Sequence, residues 1–137
     1  MKSYIFLLLS LPGICLSANL TVTVNNIKNT NGQVLVGLFN SKKTFPTKGQ
    51  EYKGNIVYPI NSTSATTTFN NIPSGNYAIA VIHDEDRSGK LEKNIFGIPM
   101  EQYGFSNDVY AKFGPPTFES AAFTINKEDL LITINLK

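Results

Sequence analysis

Asn19–Asn25 reads NLTVTVN, and it alternates without a break. Leu20, Val22 and Val24 fall on one face, Thr21 and Thr23 on the other. Strict alternation over this length predicts a strand with one face buried. The pattern recurs along the chain. Gln33–Asn40 (QVLVGLFN) and Asn76–His83 (NYAIAVIH) are apolar on both faces, as central strands are. Asn55–Ile60, the Thr-rich Ala65–Phe69, Ser120–Ile125 and Leu130–Leu136 read as further strands. Asn29-Thr30-Asn31-Gly32 and Asn70–Gly75 are turn sequences, because Asn and Gly tolerate positive φ. Ser41–Lys53, with Pro46, Gly49 and several lysines, reads as a loop. Phe118–Ala122 has room for one helical turn after Pro115-Pro116, and no longer amphipathic helix is present. Many short strands separated by turns predict an all-β, two-sheet antiparallel sandwich of about seven strands.

Composition narrows the function. The chain has 137 residues, enough for one domain with a real core. Its formal net charge is +2, and only 16% of residues are charged. Nucleic-acid binding needs a concentrated basic surface, which this balance argues against. One His and one Cys exclude a two-His metal site and an internal disulfide, and a Cys–His pair would need Cys15, which lies in the expected leader.

Met1–Ala18 (MKSYIFLLLSLPGICLSA) has a positive start at Lys2 and an apolar run over Ile5–Leu11. Small residues close it at Ser17 and Ala18. This is the layout of a secretory signal peptide, leaving residues 19–137 as the mature β-sandwich. The run is too short to span a bilayer, and no later segment is apolar enough, so no transmembrane segment is expected. The expected location is the periplasm or the exterior. Cys15 follows the apolar run, as the acylated Cys of a lipoprotein does, but Ile14 stands where a small residue is usual, which argues against a lipid anchor. Without that Cys the mature chain must be stable through its core alone.

Asp84–Pro116 is long for an irregular segment, and such segments in small domains are often functional. Its first part, His83–Asn94, reads HDEDRSGKLEKN. Asp84, Asp86 and Ser88 occupy alternate positions, with Gly89 next. Oxygen side chains at positions one, three and five with glycine at six match the first half of a calcium loop. Alternate residues on a tight turn aim their oxygens at one centre, and the glycine takes the sharp bend. Lys90 would offer its carbonyl at position seven and Glu92 its carboxylate at nine. Position twelve, where a Glu normally closes the shell, is Ile95. The pattern marks calcium as the one candidate cofactor, at weak affinity, about 10⁻⁴–10⁻³ M, with no cofactor required. The competing reading is a solvated loop whose carboxylates pair with Arg87, Lys90 and Lys93.

His83 is a candidate general base beside Asp84, Glu85 or Asp86, or else a strand-end anchor. No G-x-S-x-G or H-E-x-x-H motif accompanies it. With Tyr103, Phe105, Tyr110 and Phe113 it makes up the candidate ligand groove, for a sugar or a peptide. The same aromatics would equally serve as a satellite core holding the long segment down.

Six blocks of sequence resemble a known bacterial family, the domain of unknown function 2141. They are Gly32-Gln33-Val34 leading into Val36-Gly37-Leu38-Phe39; Ile72-Pro73-Ser74-Gly75-Asn76-Tyr77-Ala78; His83-Asp84-Glu85 with Gly89-Lys90-Leu91; Gly97-Ile98-Pro99 with Glu101; Tyr103-Gly104-Phe105-Ser106-Asn107; and Gly114-Pro115-Pro116 with Phe118. The resemblance runs from about Leu20 to Leu136. It implies a small exported protein of immunoglobulin-like or prealbumin-like fold, with no activity attached. The Pro73–Tyr77 block also resembles carboxypeptidase regulatory-like and collagen-binding B-type sandwiches, some of which carry calcium on acidic turns. Arg87, Ser88 and Glu92 depart from the Asn, Gly and Asp that relatives tend to have there.

The expected function is a non-enzymatic binding or structural module of the cell envelope, with a candidate calcium loop at 84–94 and an unidentified envelope or extracellular partner. The alternative is a hydrolase or lyase using His83 with a neighbouring carboxylate.

Overall fold

A computed structural model describes residues 16–89, 91 and 100–137. Cys15 and most of the expected leader lie outside them. The described residues form eight strands in two sheets. The smaller sheet has the order β4-β1-β8, with β1 at Ser17–Asn25, β4 at Ala65–Pro73 and β8 at Leu130–Asn135. The larger runs β3-β2-β5-β6, with β2 at Gln33–Phe39, β3 at Lys53–Val57, β5 at Gly75–Asp84 and β6 at Tyr103–Phe105. A short β7, Phe123–Ile125, pairs with the start of β5. The all-β sandwich read from the alternation is the observed fold.

The details depart from the local reading in four places. Asn70–Gly75 is not one broad turn: β4 continues to Pro73 and only Ser74 separates it from β5. Asn71 takes φ +55° inside that strand, so the local turn preference is met without ending the pairing. Ser120–Ile125 divides into a four-residue helix, α1 at Phe118–Ala121, and β7. Thr117 starts the helix by accepting a hydrogen bond from the Ser120 amide, as an N-cap does. β6 lies within the segment expected to be irregular. Lastly, β8 runs parallel to β1, whereas every other pair is antiparallel.

Ser17 and Ala18, on the leader side of the expected cut, already belong to β1, opposite Pro73 and Ile72. Among the described residues no helix is long and apolar enough to cross a membrane.

The core fills the space between the sheets. Leu20, Val22 and Val24 from β1 meet Val34, Val36 and Leu38 from β2 and Ile79 and Val81 from β5, all nearly inaccessible. A second apolar cluster covers one end of the outer face of the larger sheet. It joins Phe39, Phe45, Ala78, Phe105 and Ala121, with Tyr103, Tyr110 and Phe118 packed against it. Phe45 meets Phe39, Phe105 and Phe118 edge to face at 5.4–6.0 Å between ring centres. Because β2 and β5 are covered on both sides here, both alternating sets of their side chains are apolar.

Candidate functional site at the outer face of the larger sheet

Register decides what this outer face carries. Four rungs cross β2 and β5: Phe39 with Ala78, Gly37 with Ala80, Leu35 with Ile82, and Gln33 with Asp84. The first lies under the aromatic cluster. The middle two extend sideways, to Gly54 and Ile56 on β3 and to Phe105 and Tyr103 on β6. Gly54, Gly37 and Ala80 have almost no side chain, so this part of the sheet is a shallow trough. The fourth rung ends in a buried carboxylate.

Asp84 is inaccessible to solvent. Gln33 Nε2 donates to its Oδ2 at 2.8 Å, and so does the Gly89 amide at 2.8 Å. The Ser88 amide donates to Oδ1 at 2.9 Å and the Ser88 hydroxyl at 3.3 Å. Burial acts to raise the Asp84 pKa. Hydrogen bonding with Gln33, Gly89, Asp86 and Ser88 outweighs it and holds the carboxyl below its ordinary value. The turn that supplies these donors uses positive φ at Arg87 (55°) and Gly89 (81°).

Asp84, Asp86 and Glu101 each bring a carboxylate oxygen within 4.8 Å of the others. Glu101 is 7% exposed, and its Oε2 accepts from the Glu85 amide at 2.6 Å. Glu85 turns away, towards Asn29 Nδ2 at 3.0 Å and the Lys28 ammonium at 3.4 Å. Arg87 also points away, its guanidinium 4.0 Å from the centre of the Tyr58 ring. It therefore does not neutralise the loop's carboxylates, as the solvated-loop reading required. Three carboxylates this close repel one another, and a cation or a shared proton relieves the repulsion. Ser88 sits beside them with its hydroxyl on Asp84, while Lys90 and Glu92, the other two expected ligands, lie outside the described residues.

Glu101 is the residue that loop spacing missed. It falls well beyond the twelve-residue frame, and folding brings it back over the amide of Glu85. Its one sequence signal was its place in the Gly97-Ile98-Pro99 block. Gln33 was also missed. The signal was a polar residue opening an otherwise apolar strand.

His83 lies on the opposite face of β5, fully buried. Its Nε2 is 2.7 Å from the Asn31 carbonyl, and its Nδ1 is 3.4 Å from Gln102 Oε1. Gln102 in turn accepts from the Lys28 amide at 2.9 Å and donates to the Asn26 carbonyl at 2.7 Å. The ring is a clasp between the β1–β2 connection and the segment before β6.

Alongside the trough, and sharing Ala80 and Ile82 with it, lies a groove of about 680 Å³. Ala80 and Ile82 form its floor, Tyr103, Phe105 and Tyr110 one wall, and Pro46–Lys48 and Ala111–Pro116 the rims. Four of the five expected groove residues thus come together, and His83 stands apart from them. Tyr103, Phe105 and Tyr110 pack edge to face at 5.7–6.1 Å, so they also form the satellite core that the composition allowed. The Tyr110 hydroxyl donates towards the carbonyls of Asn135 (2.9 Å) and Tyr103 (3.3 Å). Burial, with Asp108 and Tyr103 nearby, pushes its pKa up to about 12. Phe113 is on the rim and 85% exposed.

Residues 22–133 match the family model described as "Uncharacterized protein conserved in bacteria (DUF2141)", and the chain belongs to that family. No curated protein and no solved structure matches it. The more distant likeness to carboxypeptidase regulatory-like domains, drawn from the Pro73–Tyr77 block, is not confirmed by these comparisons.

Proposed function

We propose that the protein is an exported, non-enzymatic binding module of the cell envelope. Its acidic turn holds a calcium ion between Asp84, Asp86 and Glu101, and the ion fixes one end of the trough as a binding surface. The convergence of these three carboxylates carries the reading. Calcium–oxygen distances of about 2.3–2.6 Å allow ligand oxygens to lie roughly 5 Å apart across the ion. Glu101 would take the part of the closing carboxylate that Ile95 cannot play. Lowering of the Asp84 pKa supports a ligand that is ionised at neutral pH. A hydrolase or lyase built on His83 has less support, because a general base needs a nitrogen that substrate can reach, and both of its nitrogens face protein oxygens.

Thermal unfolding in EDTA and in millimolar calcium, beside Asp86→Ala and Glu101→Gln, tests the metal. At one hundred times the dissociation constant, linkage gives about 2.7 kcal/mol of stabilisation. That is a shift of several degrees for a domain of this size. A shift lost in both variants is the expected result, and no shift in the parent protein would return the three carboxylates to a structural role. Mass spectrometry of the mature N-terminus tests export, the expected result being a chain that begins at Ala18 or Asn19.

A further inference from the structure

We propose that the groove binds a small amphipathic carboxylate, its apolar body lying on Ala80 and Ile82 and its acid group meeting Lys112. This rests on the reading of the outer face as a binding surface, and it adds the class of ligand. The size of the groove falls in the range of small-molecule sites, roughly 300–1,000 Å³. Its lining is aliphatic and aromatic, with three prolines. Charge selects the ligand's head. Among the described residues Lys48 and Lys112 are the charged ones that line the groove, and no acid does. Lys48 already has Glu51 at 3.6 Å. Among the described residues Lys112 has no acid partner, and its ammonium lies 5.9 Å from the centre of the exposed Phe113 ring. A cation with no acid partner among the described residues, beside an exposed aromatic at the rim of a largely apolar groove, complements an anion attached to an apolar body. A bound ligand would cover Phe113 and give Lys112 a charge-assisted hydrogen bond, which is stronger than a neutral one.

The test titrates decanoate, and separately decanol, into the isotope-labelled protein, and follows backbone amide shifts with and without calcium. The expected result is saturable binding of decanoate, with shifts centred on Ala80, Ile82 and Ala111–Gly114. Lys112→Met should weaken it about tenfold, as loss of a charge-assisted bond does. Decanol should bind the parent protein about as weakly as decanoate binds that variant. Lys112 is on the surface, so thermal unfolding of the variant should match the parent. Absent binding, shifts centred elsewhere, equal affinity for decanol, or indifference to Lys112→Met would each overturn the proposal. The metal is read from the EDTA and calcium melts. Decanoate binding that persists without any calcium effect would retain the groove and remove the ion.

Discussion

At the scale of single residues, Asp84 is held by its side chain from several directions. It is a fully buried carboxylate that organises Gln33, Ser88 and Gly89 around it. Replacing it by Ala leaves the buried Gln33 side-chain amide without its acceptor, a loss of about 1–3 kcal/mol, and takes an acceptor from the half-buried Gly89 amide, while the Ser88 amide keeps Asp86. The expected destabilisation of Asp84→Ala is about 2 kcal/mol, read from urea midpoints in EDTA so that metal plays no part. The same carboxyl predicts a pH dependence. Its folded pKa lies below its unfolded value, which is ordinarily about 3.9. The folded state therefore holds fewer protons than the unfolded one in that window. The stabilisation is complete above about pH 5, begins to fall near the unfolded value, and is lost as pH falls through the folded value. Glu85 and Glu51, also shifted downward despite burial, act in the same direction through Asn29 and Lys28 and through the Gly49 amide and Lys48. Urea midpoints should stay level from neutral pH to about 5 and fall below about 4. Asp84→Asn should fall less steeply.

At the scale of elements, the acidic turn depends on the turn before β2. Gly32 takes φ +67°, and a Cβ placed there would overlap the carbonyl oxygen of Asp84 and the backbone of Glu85. Those atoms are backbone and cannot swing aside. Gly32→Ala should cost about 2 kcal/mol or more, between strain at positive φ and the displaced turn. It should also abolish any calcium-dependent thermal shift, whereas Gly49→Ala should leave that shift in place. Gly49 has open space around it, though its φ of +93° carries strain of its own. The contrast separates a specific packing of two turns from a general loss of stability. The aromatic cluster is a second element-scale unit. Phe45 stands at its centre against three other rings. Phe45→Ala should cost about 3–5 kcal/mol in equilibrium unfolding.

At the scale of the whole molecule, the first and last strands close the smaller sheet side by side. Among the described strands β8 pairs with β1 alone, in register from Leu20 with Leu130 to Asn25 with Asn135. Its C-terminal end is held further by Asp108, which accepts from the Asn135 amide and side chain at 2.8 Å. Deleting residues 130–137 removes Ile134 and Leu136 from the core and exposes the backbone of β1. The truncated chain should show no cooperative unfolding transition by circular dichroism. With no disulfide within the described strands, this pairing is what ties the two ends of the domain together.

The candidate site was only partly legible in the sequence. Asp84, Asp86 and Ser88 stood out because their spacing is local, and local spacing survives folding. Tyr103, Phe105, Tyr110 and Phe113 stood out by composition, and they do share one groove. His83 was grouped with them as a groove residue, yet it lies on the other face of β5, where Asn31 and Gln102 hold it. Glu101 and Gln33 could not be placed beside Asp84 without knowing the β2–β5 register and the path of the chain before β6.

The sequence by itself determined the two-sheet sandwich, the central strands and the acidic turn, because alternation and turn chemistry act between near neighbours. Tertiary structure alone decided the parallel closure of β1 with β8, the row of Gly54, Gly37 and Ala80 that hollows the outer face, and the approach of Glu101 to Asp84 and Asp86. Each of these depends on cross-strand register, which brings together residues far apart in the chain and leaves no periodic mark in the segments it joins.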